Sequence, residues 1–506
     1  MAQQLQNITV AAPGFMGLNT QDSPIGGDPS FAAVADNCVI DKLGRIGARK
    51  GWEAVSSNGA AVLGSSRGIE SVFEYVKRDG TKIVFSAGNN KIFTGTSTLA
   101  AVTLPSGYSI SANNWKIVSF NNDVYFFQRG HASLVSVAGS TTLIAVVDGG
   151  TASPAANEVL AAYGRLWAAD ITANKYVVYW SDLLDGDDWH GGSSGSLDLT
   201  LVWPTGFDEV VALAAHNNFL IIFGKKSMLV YSGASSPASM TLADTVEGVG
   251  CIARDSVQHT GTDILFLSET GVRSFGRTIQ EKSMPMRDIS KNIRTDLLSL
   301  IPLQTNAIKS LYSSEEAFYL LTLPDSNTVY CFDMRRQLED GSNRVTTWSS
   351  MYPLSFVSLE GGAIYIGISS GIVEYKNYMD GAVKYEMRYF SNPMDFGNTS
   401  NLKFLKKFNL TIIGGQNTPT TLNWGYDYSA SFTKQAFTFS SSNIAEYGLA
   451  QYNTTGEYTS SILINTPKVN TSGSGEVATI GIEAEVNGAA FSIQKIDIHA
   501  LLGRLI

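Results

Sequence analysis

The 506-residue chain is long enough for about three domains and carries 36 Lys and Arg against 45 Asp and Glu, a formal charge of −9. Only 16% of its residues are charged and 48 are Gly, a balance that fits short strands joined by tight turns and excludes coiled coils and helical bundles. No run of 18 apolar residues offers a membrane-spanning helix. The polar, uncharged opening gives no secretory signal, and three distant cysteines (Cys38, Cys251, Cys331) predict buried thiols in a reducing compartment rather than a disulfide frame.

Residues 1–46 are dominated by Gly, Pro, Asn and Asp and predict an extended, irregular N-terminal arm held against the rest of the chain. A period then begins. Seven short apolar strands start at residues 82, 124, 166, 220, 264, 318 and 364, a mean step of about 47, and each follows a two-residue turn such as Asn121-Asn122, Tyr163-Gly164 or Asn217-Asn218. Such turns supply the positive φ of tight antiparallel hairpins. Units of 40–50 residues with about four strands are the pattern of β-propeller blades. The expected fold is therefore all-β, with a β-propeller over 47–378, about seven blades and six possible. The run 47–55 is placed to close the ring by completing the last blade. Second strands such as Leu220-Ile-Ile-Phe223 suit burial on both faces. The bland alternative is a string of sandwich domains.

One segment departs from the period. Residues 288–301 place Ile289, Ile293, Leu297, Leu300 and Ile301 at helical spacing, after Asp288 or Ser290 as N-cap and before Pro302. They predict a helix inserted in a blade loop, either a docking element or the cover of an exposed edge. From Met379 the period stops. Alternating runs over 384–390, 404–413, 420–426, 435–439, 460–465, 478–485 and 491–501 predict a C-terminal β-sandwich-like domain over 379–506.

Catalytic constellations are weak. Gly-x-Ser-x-Gly occurs at 64–68, 191–195 and 367–371, but without the strand–turn–helix context that a nucleophile elbow requires. The glycine-rich stretch 248–253 is followed by a hairpin, not the helix of a dinucleotide site. Five histidines (His131, His190, His216, His259, His499) share no ligand spacing. The acidic cluster Asp182, Asp185, Asp187, Asp188 could offer oxygen ligands to Ca²⁺ but lacks the Asp-x-Asp-x-Asp-Gly register, so a solvated acidic loop is the plainer expectation. No enzyme activity and no cofactor are expected; a glycosidase would need two carboxylates facing across a cleft, which sequence cannot pair.

The N-terminal segments carry a resemblance. Residues 14–24 read Gly-Phe-Met-Gly-Leu-Asn-Thr-Gln-Asp-Ser-Pro, 32–37 read Ala-Ala-Val-Ala-Asp-Asn, and 41–52 read Asp-Lys-Leu-Gly-Arg-Ile-Gly-Ala-Arg-Lys-Gly-Trp. Together they resemble the opening of the tail nozzle (tail tubular B-type) proteins of short-tailed bacteriophages. Central stretches at 163–167, 178–182, 211–224, 246–250 and 271–275 are similar as well, so the likeness spans roughly 10–375 and weakens beyond. The motif positions are Gly14, Gly17, Asn19, Asn37, Gly44, Arg49, Gly51 and Trp52. The resemblance implies a structural virion protein made in the host cytoplasm and built into the phage tail. It implies a homohexameric nozzle that docks on the portal–adaptor, carries fibres or spikes, and passes DNA through its lumen during ejection. The acidic balance agrees, because few Lys or Arg contacts to phosphate favour sliding over binding, and the C-terminal domain is expected to supply much of the ring contact. The alternative from another class is a propeller lectin or a glycan-processing, tailspike-like receptor-binding protein.

Overall fold

A computed structural model describes residues 5–23, 27–64, 68–148, 150–204, 206–281, 288–398, 400–429, 431–439 and 464–505. Local hairpins dominate it. Blade 1 comprises Ile69–Val76, Lys82–Gly88, Lys91–Thr94 and Ala100–Ala101. Blade 2 comprises Lys116–Phe120, Asp123–Gln128, His131–Ser136 and Ile144–Ala145. Blade 3 is built from Ala156–Ala162, Arg165–Ile171, Val177–Trp180 and Gly195–Asp198, and blade 4 from Val210–His216, Phe219–Gly224, Ser227–Ser232 and Thr241–Glu247. Each is a four-stranded antiparallel meander. The turns have the geometry their residues call for, with positive φ at both Asn121 and Asn122, Tyr163 and Gly164, and Asn217 and Asn218.

Among the described residues blade 5 has three strands, Gln258–His259, Ile264–Ser268 and Gly271–Ser274. Blade 7 joins Ser355–Ser358, Ile364–Ile368 and Gly371–Tyr375 to Trp52–Ala54, which pairs antiparallel with the last of these, Tyr375 opposite Trp52. Of the run expected to close the ring, 47–55, only Trp52–Ala54 completes the last blade; Gly47 and Ala48 belong to the sandwich strand Ile46–Ala48. Six blades are free-standing sheets. The seventh sector, blade 6 (Lys309–Ser313, Phe318–Leu323, Thr328–Gln337 and Asn343–Trp348), is fused into a larger ten-stranded sheet.

Apolar packing runs around the whole ring. Separate buried clusters join blades 1 and 2, 2 and 3, 3 and 4, 4 and 5, 6 and 7, and 7 and 1. The main core joins 5 to 6. Aromatic rings cross several junctions, Phe85 to Phe126 at 5.3 Å, Phe223 to Phe266 at 5.1 Å, and Trp348 stacked on Tyr375 at 5.4 Å. Second strands are buried on both faces, all six residues of Phe318–Leu323 and all five of Ile264–Ser268, because each blade is covered by a neighbour on either side.

The helical segment forms a 3-10 turn (Lys291–Ile293), an α-helix (Arg294–Leu300) and a second 3-10 turn (Ile301–Leu303). Ile289, Ile293 and Leu297 are buried in the main core with residues of blades 5 and 6. It therefore covers the outer edge of three-stranded blade 5, where Ile289 N–H donates to Val272 O and the Ser290 hydroxyl accepts from Val272 N–H. The proposed caps do not form. The Ser290 side chain makes no cap hydrogen bond, and Asp288 is engaged by Arg294. A short helix at Phe275–Glu281 was not foreseen.

The C-terminal residues form two facing sheets. One orders Ile464–Asn465, Asn401–Gly414, Phe491–Leu505, Ile46–Ala48 and Cys38–Ile40, with Leu5–Ala11 also on Phe491–Leu505 and Lys468–Asn470 on Asn401–Gly414. The other continues blade 6 through Phe31–Asp36, Tyr385–Ser391, Ala478–Val486, Pro419–Tyr426 and Thr433–Thr438. Their inward faces interdigitate, as Phe408 against Trp424 at 6.3 Å shows, which makes the unit a β-sandwich. The run predicted at 460–465 lies partly outside the described residues. The irregular arm over 1–46 is corrected. Leu5–Ala11, Phe31–Asp36, Cys38–Ile40 and Ile46–Ala48 are strands of the sandwich, and their short lengths and intervening glycines hid the alternation. Phe31–Asp36 also bridges the two units, pairing parallel to Asn343–Trp348 and antiparallel to Tyr385–Ser391.

Candidate functional site

Several motif residues singled out by sequence, Gly17, Asn37, Arg49 and Gly51, meet at the seam between propeller and sandwich. Arg49 is fully buried there, and each of its five N–H donors is used. Nε donates to Asn37 Oδ1 at 3.0 Å. Nη1 donates to Lys50 O at 2.9 Å and Asp380 Oδ1 at 2.8 Å. Nη2 donates to Ser350 Oγ and Asp380 Oδ2, both at 2.7 Å. The guanidinium also lies 4.2 Å from the centroid of the Tyr385 ring, a cation–π contact. These partners come from the arm, the exit of blade 6, the link out of blade 7 and the first sandwich strand. A planar, always-charged fork suits such a four-way junction better than an ammonium.

Asn37, Gly17 and Gly51 support the same seam, whereas Gly14, Gly44 and Asn19 make contacts among the N-terminal residues. Asn37, at φ 53°, accepts from Ser349 N–H at 3.2 Å and donates to Glu386 O at 2.9 Å. A Cβ at Gly51 would lie 1.9 Å from the Met379 carbonyl oxygen, and one at Gly17 (φ +79°) 2.6 Å from Val345 O, so both positions admit only glycine at this spacing. Gly44 passes against Pro13, and Gly14 against Ala11 O. Asn19 caps its own turn, its Oδ1 accepting from the N–H groups of Gln21 and Asp22. Trp52 belongs to the closing strand. These residues hold the architecture together.

A second polar cluster lies where the innermost strands meet. Arg254 and Asp255 sit on the short turn between blades 4 and 5, and around them stand Lys116 of blade 2, Glu158 of blade 3 and Lys309 of blade 6. Asp255 Oδ2 accepts from Arg254 and Lys309, each at 2.8 Å, and Lys116 lies 3.7 Å from Oδ1 and 3.5 Å from Glu158. Glu158 in turn accepts from Leu213 N–H of blade 4. Burial alone would raise the Asp255 carboxyl, but Arg254, Lys309 and Lys116 together hold it well below its ordinary range. For Glu158 burial dominates and its pKa is raised despite Lys116 and Arg254. An adjoining cavity of about 130 Å³ is lined by Ser71, Lys116, Gln258, Lys309 and Ser355 among others. The cluster ties blades 2, 3, 4 and 6 to the turn between blades 4 and 5.

The acidic loop is organised by its own backbone. Asp182 accepts from the Ser193 N–H and hydroxyl, which, with backbone donors, brings its pKa down to about 2. Asp185 accepts from the N–H groups of Asp187 and Asp188, Asp188 from those of His190 and Gly191, and Asp187 pairs with the Tyr125 hydroxyl. These carboxylates serve as turn caps, and no group of three or more His, Cys, Asp or Glu able to hold a metal occurs among the described residues.

Of the Gly-x-Ser-x-Gly matches, 367–371 is the hairpin turn between Ile364–Ile368 and Gly371–Tyr375. The match at 191–195 lies in the same acidic loop, and the middle of 64–68 lies outside the described residues. Cys38, Cys251 and Cys331 are buried free thiols, and burial pushes Cys251 up to about 12. Sequence reasoning missed Asp380, Ser350 and Tyr385 as partners of Arg49. The one available signal was a lone Arg before the closing strand, and its partners stand about 300 residues away.

No protein-family model and no curated protein matches the chain. Among solved structures it is similar to the extracellular domain of a putative one-component system from B. thetaiotaomicron, at 10% identity and a TM-score of 0.44, over 68% of this chain and 45% of that one. It is also similar to the WD40 β-propeller domain of Doa1 (11% identity, TM-score 0.38, 64% of this chain and 96% of that one) and to the WD40 domain of Neurospora crassa Pan2 (9% identity, TM-score 0.36, 68% and 98%). The chain thus spans less than half of the first of these.

Proposed function

We propose that this chain is a structural component of a short phage tail, a subunit of a homohexameric nozzle through which DNA leaves the particle. The observation that carries the reading is the seam. The motif residues that resemble nozzle proteins (Gly17, Asn37, Arg49, Gly51, Trp52) are the ones that lock propeller to sandwich, through a buried bidentate ion pair and the ring-closing strand. A tail part must transmit load between neighbours without shearing, and a blade shared with the sandwich through one sheet provides that stiffness. The charge of −9 per chain keeps counterion-release affinity for phosphates low, and acidic and hydroxyl side chains are expected to line the lumen. The adaptor and the tail fibres are the expected partners.

Negative-stain imaging and analytical ultracentrifugation of the purified protein, alone and with the adaptor, test the proposal. Six-fold rings that cap the adaptor support it. A monomer that binds or cleaves glycans would replace it with the receptor-binding alternative, and a bore lined chiefly with Lys and Arg would refute the sliding argument.

A further inference from the structure

The cluster around Arg254 and Asp255 contains a contact that an ion-pair network does not require. Lys309, which opens the first strand of blade 6, reaches Asn114, which lies just before the first strand of blade 2 and 195 residues earlier in the chain. Its Nζ donates to Asn114 Oδ1 and, at 2.8 Å, to Asp255 Oδ2. The same Asn114 oxygen accepts from Arg254 Nη2 at 2.9 Å. Because a C=O bond is about 1.2 Å long, an amine touching Oδ1 lies within about 3.5 Å of the amide carbon, the separation of a near-attack pair.

The surroundings suit each group to a step of amide exchange. Lys309 is 7% exposed, and burial brings its ammonium below the ordinary lysine range against the pull of Asp255; desolvation of this kind makes a lysine nucleophilic. Against the effect of burial, Arg254, Lys309 and Lys116 hold Asp255 as a carboxylate, ready to accept a proton. Arg254 aims a fixed donor at the oxygen on which charge develops. Beside the amide, a cavity of about 320 Å³ lined by Asn114, Arg254, Asp255, Ile252, Ile301 and Ile308 among others gives a small leaving group a way out.

We propose that Lys309 and Asn114 condense into an intramolecular isopeptide bond, with Asp255 as the base and Arg254 as the oxyanion donor. Lys309 passes a proton to Asp255, and its Nζ attacks Asn114 Cγ. The tetrahedral oxyanion forms against Arg254 Nη2. Asp255 then relays a proton from Nζ to Nδ2, the Cγ–Nδ2 bond breaks, and ammonia leaves, carrying off the first proton as ammonium. One amide replaces another, so the step needs no oxidant and no cofactor. The ion pairs of Lys309 described above are those of the chain before the bond forms. The product staples the entry of blade 2 to blade 6 beside the turn between blades 4 and 5. It is independent of the nozzle reading.

Mass spectrometry of the full-length chain is the test. The intact mass should fall short of the sequence mass by one ammonia, about 17 Da. Trypsin should yield a branched peptide joining 92–116 to 295–335, uncut after Lys309 because that lysine is acylated. Asn114→Asp should form the same bond with loss of water, about 18 Da, and reach the final mass of the wild type. Asn114→Ala and Lys309→Met should keep their full masses, and Asp255→Asn should remain unbonded when the wild type is complete. The wild-type and Asn114→Asp results stand whether or not the Asp255 variant folds. A wild-type chain at full mass that releases 295–309 and 310–335 as separate peptides overturns the proposal. So does a loss of ammonia without the branched peptide, because a cyclised asparagine elsewhere gives that mass alone.

Discussion

Removing the carboxylate of Asp380 should be among the most damaging single changes in this protein. Arg49 is inaccessible to solvent and Asp380 nearly so, and two of the five guanidinium donors end on that carboxylate at 2.7 and 2.8 Å. Asp380→Ala leaves an uncompensated buried cation with two unsatisfied N–H groups, which costs about 3–5 kcal/mol. Asp380→Asn keeps one acceptor but turns an NH₂ toward the guanidinium, so it should cost roughly 1.5–3 kcal/mol. The double change Arg49→Met/Asp380→Leu, which removes both charges and keeps volume, should cost much less than the sum of the singles. Urea unfolding followed by intrinsic fluorescence measures each. Because the pair bridges propeller and sandwich, Asp380→Ala should also split one transition into two, the signature of lost coupling between units. A loss below about 1 kcal/mol for Asp380→Ala, with a single transition retained, would refute the view that this pair locks the seam.

Three further outcomes follow from the same structure. Asp255→Asn should cost about 3–5 kcal/mol near neutral pH, because Arg254 and Lys309 lose a buried counter-charge. Since the folded Asp255 carboxyl is depressed, its contribution is present above the ordinary carboxylate pKa and is lost as pH falls. The difference between wild type and variant, measured by urea titration across pH 3–7, should therefore shrink toward acid; a constant difference would contradict the assignment. Deleting residues 379–506 should give aggregated protein rather than propeller monomers, because it strips the sandwich from a core that also contains Leu265, Tyr319 and Phe332; a soluble, cooperatively melting fragment on size exclusion would disprove this. Millimolar Ca²⁺ should leave the melting temperature unchanged, since the acidic-loop carboxylates already accept from their own backbone, and a rise of several degrees would reopen the metal reading.

The propeller was legible because its determinants are local. Paired residues such as Asn121-Asn122 and Asn217-Asn218 set hairpins two residues away, and the doubly buried second strands announce themselves as unbroken apolar runs. Closure was legible for a different reason, the isolated strand-like run 47–55 just before the first unit, of which Trp52–Ala54 does the pairing. The helix could be placed by its apolar spacing, but its caps could not, because Asp288 answers to Arg294 and Ser290 to Val272. The arm was misread because its strands borrow their partners from the other end of the chain: Leu5–Ala11 pairs with Phe491–Leu505 and Phe31–Asp36 with Tyr385–Ser391. Three- to seven-residue strands with distant partners leave little local pattern, since register there is set by the partner rather than by a turn. The same distance hid Asp380 from Arg49.

That long-range pairing bears on how the molecule can move. In an ordinary ring of blades each sheet is free to pivot slightly on its neighbours, because the contacts between blades are side-chain packing alone. Here one sector is different. The backbone ladder of blade 6 continues through Phe31–Asp36 into the sandwich, and the neighbouring blade is clasped by a strand that leads directly from Arg49. Any rotation of the sandwich relative to blades 6 and 7 must break backbone hydrogen bonds or expose the Arg49–Asp380 pair, whereas blades 1–4 meet the sandwich through neither. Blades without such a tie lie on the side of the ring away from the seam, where the acidic loop of blade 3 stands. The chain thus has one sector fixed to the sandwich by backbone pairing and another held by side-chain packing between blades.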